Sequence, residues 1–249
     1  MVSEEISHMT HLLEANGVIV RYGGLVAVNS VDFYVDKGEI VGLIGPNGAG
    51  KTTFFNAISG FREPDAGTVS FEGVSILNMR PHKISRMGMS RTFQIVKPFP
   101  EMSVLDNVMM GAFSGHANAK DARRAAMRAL EIVKFDGWAD RRAGDLPVAG
   151  RKRLEVAKVM ACHPKLILLD EVMAGLTPSE HNDMIDAVRS IQTSGVSVVI
   201  IEHVMPVIMN LCDRIYVLHH GELICQGATQ AVIRNPEVVR AYLGEEFAL

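Results

Sequence analysis

Residues 45–53 read GPNGAGKTT, which satisfies the spacing G-x-x-x-x-G-K-[ST] between a short apolar run and a helical pattern. That context is what a phosphate-binding loop needs. Gly45, Gly48 and Gly50 let the backbone wrap with its N–H groups turned inward, and the start of the following helix adds a positive field for phosphate oxygens. Pro46, Asn47 and Ala49 complete the loop. Lys51 is placed to reach the β- and γ-phosphates, and Thr52, followed by Thr53, to ligate magnesium. The alternative, an ordinary glycine-rich turn, is disfavoured by the flanking strand and helix.

Residues 166–171, LILLDE, set two carboxylates directly after an apolar run, at the edge where open α/β sheets bind ligands. Asp170 suits the surroundings of magnesium. Glu171, one residue on, points elsewhere and could polarise an attacking water as a general base. Alone, such a pair usually serves the start of the next helix. The loop upstream reverses that reading. Tyr22, Gln94 and His203 lie at strand ends; each is weak singly, and only the ordered set carries weight.

These residues need elements to hold them. Alternation over 18–35 predicts half-buried antiparallel strands, and 40–44 a fully buried strand. A helix is predicted over 51–59, stopped by Gly60, and a strand over 68–71. From 103 to 161 the texture is helical, opening on the capping pair Ser103 and Asp106, with Ala126, Leu130 and Val133 at helical spacing on a segment rich in arginine. Strands at 166–169 and 197–201, separated by a helix bearing Met184, Val188 and Ile191, make a βαβ unit and hence a parallel sheet. A hairpin around His220 and Gly221 and a helix over 236–243 close the chain.

Composition narrows the function. With 48% hydrophobic and 21% charged residues in 249, disordered and coiled-coil classes are excluded. The 25 Lys+Arg against 28 Asp+Glu give a net charge of −3, without the basic excess of nucleic-acid binders. Cys162, Cys212 and Cys225 lack metal-ligand spacing and read as buried small side chains in a reducing compartment. The acidic, interrupted N-terminus does not resemble a secretory signal, so a cytoplasmic location is expected. The most apolar stretch, 195–212, contains Glu202, His203 and Pro206 and falls short of the ~18 residues that span a bilayer. A mean hydropathy of +0.16 is compatible with an apolar partner surface.

The order Tyr22, GPNGAGKTT, Gln94, LLDE and His203 resembles the ATP-binding subunits of ABC transporters across essentially the entire chain. The stretches RTFQ, DEVMAGLTPSE, IEHVM and AYLG resemble more closely the ATPases of branched-chain amino-acid uptake systems. The resemblance implies an α/β P-loop NTPase fold in one domain, residues 1–249, with a mixed or parallel sheet core, an antiparallel β subdomain and a helical subdomain at 95–160. It implies ATP and Mg2+, with Tyr22 stacked on adenine, Gln94 sensing magnesium and the membrane partner, Glu171 as general base and His203 on the γ-phosphate. Gly175, Leu176 and Thr177 match the loop that crosses to a second ATPase. The implied partners are that second ATPase, identical or not, transmembrane permease subunits and, indirectly, a periplasmic or extracellular solute-binding protein. The implied place is the cytoplasmic face of a bacterial inner membrane, as a peripheral subunit.

One motif departs from the family. Where Leu-Ser-Gly-Gly-Gln is expected, the chain has Leu146, Pro147, Val148, Ala149 and Gly150, then Arg151, Lys152 and Arg153. Pro147 offers neither a hydroxyl nor a backbone N–H, leaving the N–H groups of Ala149 and Gly150 and the helix start to face a partner's nucleotide. The basic triplet reads as a solvated helix face rather than a phosphate contact. A soluble ABC ATPase acting on ribosomes or nucleic acid usually has tandem ATPase domains or long coiled-coil insertions, absent here. A small-molecule kinase gives no shared reason for Gln94, His203 and the 175–177 loop.

Overall fold

The computed structural model describes residues 11–92 and 98–243. Alternating side chains build β1 (Leu13–Tyr22) and β2 (Leu25–Val35), an antiparallel pair that buries Val18, Val20, Val28, Val31 and Phe33. β1 starts before the predicted position 18. Asn16 and Gly17 interrupt the alternation there, and the pairing absorbs them as a register shift between Ala15 and Val18. β4 (Ala66–Phe71) and β5 (Val74–Ser75) extend this sheet in the order β2-β1-β4-β5.

The second sheet contains β3 (Ile40–Ile44), β6 (Met89–Arg91), β7 (Leu166–Asp170), β8 (Ser197–Ile201), β9 (Arg214–His219) and β10 (Glu222–Ala228). Its order is β10-β9-β3-β8-β7-β6, parallel except for β10, which folds back on β9. β3, β7 and β8 are buried at every position, as in strands covered on both faces. Leu166 and Leu168 of β7 enter one core with Phe54 and Phe55 of α1 (Lys51–Ile58). Ile167 and Leu169 enter the other, with Met184, Val188 and Ile191 of α6 (Pro178–Thr193). The sheet thus separates a core shared with α1 and the first sheet from a core shared with α6 and the helices of 104–160.

A short α2 (Pro81–Met87) precedes β6, a strand that the sequence patterning did not reveal. Between β6 and β7 the chain leaves the sheet for α3 (Val104–Ala112), α4 (Ala119–Ile132) and α5 (Val148–Met160), which pack on one another. Ser103 caps α3 by accepting the Asp106 N–H at 3.0 Å, as their spacing predicted. On α4, Ala126 and Leu130 are buried, whereas Arg123, Arg124 and Arg128 are exposed. The chain finishes with α7 (Met205–Leu211), α8 (Thr229–Val232) and α9 (Pro236–Leu243). Among the described residues, no helix is long and apolar enough to cross a membrane. The three thiols are free, but only Cys212 is buried; Cys162, just past α5, and Cys225, on the edge strand β10, are half-buried, contrary to the expectation.

Candidate functional site

The chain leaves β3 at Gly45 (φ 150°) and enters α1 at Gly50 (φ 99°), two backbone states that resist side chains. A Cβ on Gly45 would stand 2.1 Å from the Leu218 carbonyl oxygen, and one on Gly50 2.4 Å from that of Ala27. These two glycines therefore serve the close approach of neighbouring strands as well as the turn. Gly48, between them, differs: it faces the cleft with no atom within 4 Å of where a Cβ would stand, so its left-handed backbone (φ 81°) alone calls for glycine. α1 begins with no side-chain cap and no acidic residue in its first turn, leaving its leading N–H groups to an anion. Lys51 is only 8% exposed, and its Nζ donates to the carbonyls of Gly45 at 2.7 Å and Pro46 at 2.9 Å. Burial pushes its ammonium below the usual lysine value, while Glu171 and Asp170 pull it back up. Lysine and acidic pair thus share one field.

Asp170 ends β7 almost fully buried, with its Oδ2 accepting from an Arg91 NH2 at 2.7 Å. Arg91 also donates to Asn56 Oδ1 at 2.6 Å and lies over the Phe55 ring. In the sequence Arg91 stands within RTFQ with no role of its own to read. No local pattern could have found the pair, because the partners meet only through the parallel pairing of β6 with β7. Thr92 adds a second tie, its Oγ1 accepting the Asp170 N–H at 3.1 Å.

Glu171 follows in the left-handed region (φ 49°), and its N–H donates to the Ile201 carbonyl at 3.0 Å. It lines a cleft of about 530 Å³ together with Tyr22, Asn47, Gly48, Lys51, Thr52 and Thr53. Tyr22 is half exposed at the end of β1, with the Arg62 guanidinium 5.3 Å from its ring centroid. Arg62 also donates to the Arg21 carbonyl, so α1's trailing segment steadies the strand end that carries the ring. The hairpin turn His220–Gly221 completes the cleft wall, with Gly221 N–H on the Ala49 carbonyl at 3.0 Å. The sequence pattern shows this turn only as a hairpin.

His203 is exposed just beyond β8, the strand adjoining β7, and Glu202 beside it is fully buried. Glu202 Oε1 accepts the Met173 N–H at 2.8 Å, joining the loops that carry His203 and Glu171. Burial pushes the Glu202 carboxyl up to about 7. Because the folded chain then holds a proton that the unfolded chain releases near the ordinary glutamate value, this group lowers stability as pH rises from about 4.5 to 7. Glu202→Gln keeps a carbonyl for Met173 and removes the ionisation. Its urea midpoint is expected to gain on the wild type between pH 5.5 and pH 8; an equal difference at both values would show that Glu202 ionises as freely folded as unfolded.

Gln94 lies outside the described residues. Pro147, Ala149 and Gly150 do not join the cleft. Pro147 is the N-cap of α5 without a side-chain bond, and the segment lines a separate hollow with Leu176 and Glu180. The neighbouring 175–177 loop ends in a capping box, where Glu180 accepts the Thr177 N–H at 2.7 Å.

A family model described as ABC transporter matches residues 28–174, and one described as branched-chain amino acid ATP-binding cassette transporter matches residues 222–248. The chain is 38% identical over 250 residues to the high-affinity branched-chain amino acid transport ATP-binding protein LivG of Escherichia coli K12, covering 94% of this chain and 98% of LivG. BraF of Pseudomonas aeruginosa, which carries the same description, gives the same figures. Among solved structures, a nucleotide-free ATP-binding cassette from an ABC transporter superposes with a TM-score of 0.85 at 31% identity, covering 94% of this chain and all of that one. The ADP conformation of the cassette MJ1267 gives 0.86 at 31%, over 94% and 99%. By sequence, by fold and by the loop and acidic strand end that share its cleft, this chain belongs to the ABC transporter ATP-binding family, on the branch that includes LivG and BraF.

Proposed function

We propose that the chain binds and hydrolyses ATP to power import of branched-chain amino acids through separate permease subunits. The observation that carries this reading is the joining of Lys51, the loop amides and Glu171 in one cleft, in a chain whose segment 222–248 matches the branched-chain transporter family. Lys51 and the first N–H groups of α1 hold the β- and γ-phosphates. Glu171 accepts a proton from the attacking water as the bond between the γ-phosphorus and the β-bridging oxygen breaks, giving ADP and phosphate. His203 contacts the γ-phosphate, and Gln94 links the site to the permease.

Among the described residues, no group of three or more His, Cys, Asp or Glu could hold a metal by itself. Thr52 and Asp170 nonetheless supply hard oxygen donors, and Arg91 fixes the Asp170 carboxylate from one side. That sparse set suits Mg2+, which takes its remaining ligands from phosphates and water and when bound neutralises phosphate charge. Pro147, Ala149 and Gly150 lie away from this chain's own cleft, which supports a head-to-tail pair of ATPases in which each nucleotide meets the opposite segment. The second subunit is either the same chain or a different one. The assembly sits on the inner face of the membrane, fed by a solute-binding protein outside it.

Uptake of labelled leucine, isoleucine and valine into vesicles holding the assembled transporter tests the function. ATP-driven uptake of another solute class with none of these three would refute the substrate assignment and leave the ATPase intact. Tyr22→Ala is expected to weaken ATP binding roughly five- to a hundredfold, the range for losing one base–aromatic stack. Inorganic tripolyphosphate, which has no base, should bind both forms alike; calorimetric titration of both ligands shows whether the ring acts on adenine.

A further inference from the structure

Arg151, Lys152 and Arg153 open α5 as a basic triplet, and the structure sends each side chain to a different backbone carbonyl. Arg151 turns back on the carbonyl of Leu146 at 2.9 Å, and Arg153 reaches that of Lys134 at 3.4 Å. Both destinations lie within the α3–α5 region. Lys152 alone leaves it: its half-buried side chain donates from Nζ to the Glu171 carbonyl at 2.9 Å. The triplet is therefore not a uniformly solvated face.

We propose that Lys152 is a positioning residue for Glu171, a strut that makes the aim of the general base depend on where α5 lies against the sheet. This rests on the reading of Glu171 as the base. Glu171 occupies a left-handed backbone state (φ 49°) that a residue with a Cβ keeps only when its surroundings over-determine it. The sheet supplies two restraints, the Ile201 carbonyl on the Glu171 N–H and Glu202 on the Met173 N–H. Both come from the end of β8, through Ile201 and the residue after it. The Glu171 carbonyl accepts from the Ala174 N–H at 3.3 Å within the loop and, more closely, from Lys152, whose bond comes from a helix packed chiefly on α3 and α4. A shift of α5 by about an ångström lengthens that hydrogen bond beyond its useful range and leaves the carbonyl to the longer bond from Ala174, so the peptide that orients the carboxylate is held less firmly. Placement of the helical region is thereby transmitted to the base of the same chain, without passing through the nucleotide.

The test compares Lys152→Met, which keeps the stem and removes the donors, with Lys152→Arg, which restores them. Both are measured in the assembled transporter for ATP turnover, and as purified chains for nucleotide affinity and thermal midpoint. Lys152→Met is expected to lower kcat about tenfold, the scale of a modest misplacement of a catalytic group, with ATP affinity within about twofold. Lys152→Arg should recover at least half of the rate. In a Glu171→Gln background, Lys152→Met should cost nothing further, because the group it positions is already gone. An unchanged kcat, a parallel loss of affinity and thermal midpoint, or an arginine variant no better than methionine each overturns the proposal, while an inactive Glu171→Gln leaves the base assignment standing. If Glu171→Gln turns over normally, the base assignment falls and the proposal falls with it.

Discussion

Glu171→Gln is expected to bind ATP as the wild type does and to hydrolyse it roughly 10²–10⁴ times more slowly, the contribution of a positioned general base. The amide matches the carboxylate in shape, so the left-handed backbone, the hydrogen bond to Ile201 and that from Lys152 all persist. What disappears is the lone pair basic enough to take the water's proton. The variant should therefore accumulate ATP-bound protein, and single-turnover measurement with labelled ATP separates the chemical step from binding. A rate within a few-fold of the wild type would move the base to another residue, with His203 the next group to examine.

Lys51→Ala acts earlier, on binding itself. The ammonium lies across the loop on the carbonyls of Gly45 and Pro46, in a position to exchange those neutral acceptors for phosphate oxygens. Hydrogen bonds to charged groups contribute about 1.5–3 kcal/mol each, so losing the lysine should raise the Kd for ATP about a hundredfold. The loss should fall equally on inorganic tripolyphosphate, the reverse of the pattern expected for Tyr22→Ala. If Lys51→Ala bound ATP with undiminished affinity, the loop would not be the phosphate site.

The parts of this site legible in the sequence are those whose cause is local. A phosphate loop is specified by backbone conformation over a few consecutive residues, and its strand, like β7 and β8, is an apolar run buried on both faces. The parallel pairing of β7 with β8 followed from the helix between them. The parts not legible depend on chain segments meeting through the fold. Arg91 and Asp170 are brought together by β6, a strand too short to show a period. Lys152 looked like any basic residue on a helix until its carbonyl partner was in place. Glu202 was visible only as an interruption of an apolar stretch, although it joins two loops of the site. The early start of β1 was hidden by a bulge, which breaks the alternation that strand recognition depends on.

The position of β3 has a consequence for biogenesis. The strand that leads into the phosphate loop is flanked on one side by β8 and on the other by β9, both from the last quarter of the chain. During synthesis the loop emerges early and then waits, without either neighbour, for well over a hundred residues to be translated. Pairings that span so much sequence form slowly, because chain entropy opposes closure until distant contacts repay it. A nascent chain cut short before β9 should therefore carry the whole glycine motif and fail to retain nucleotide. Added ATP should then raise the thermal midpoint of the finished chain and leave that of the shortened one unchanged, because a ligand stabilises only the form that binds it.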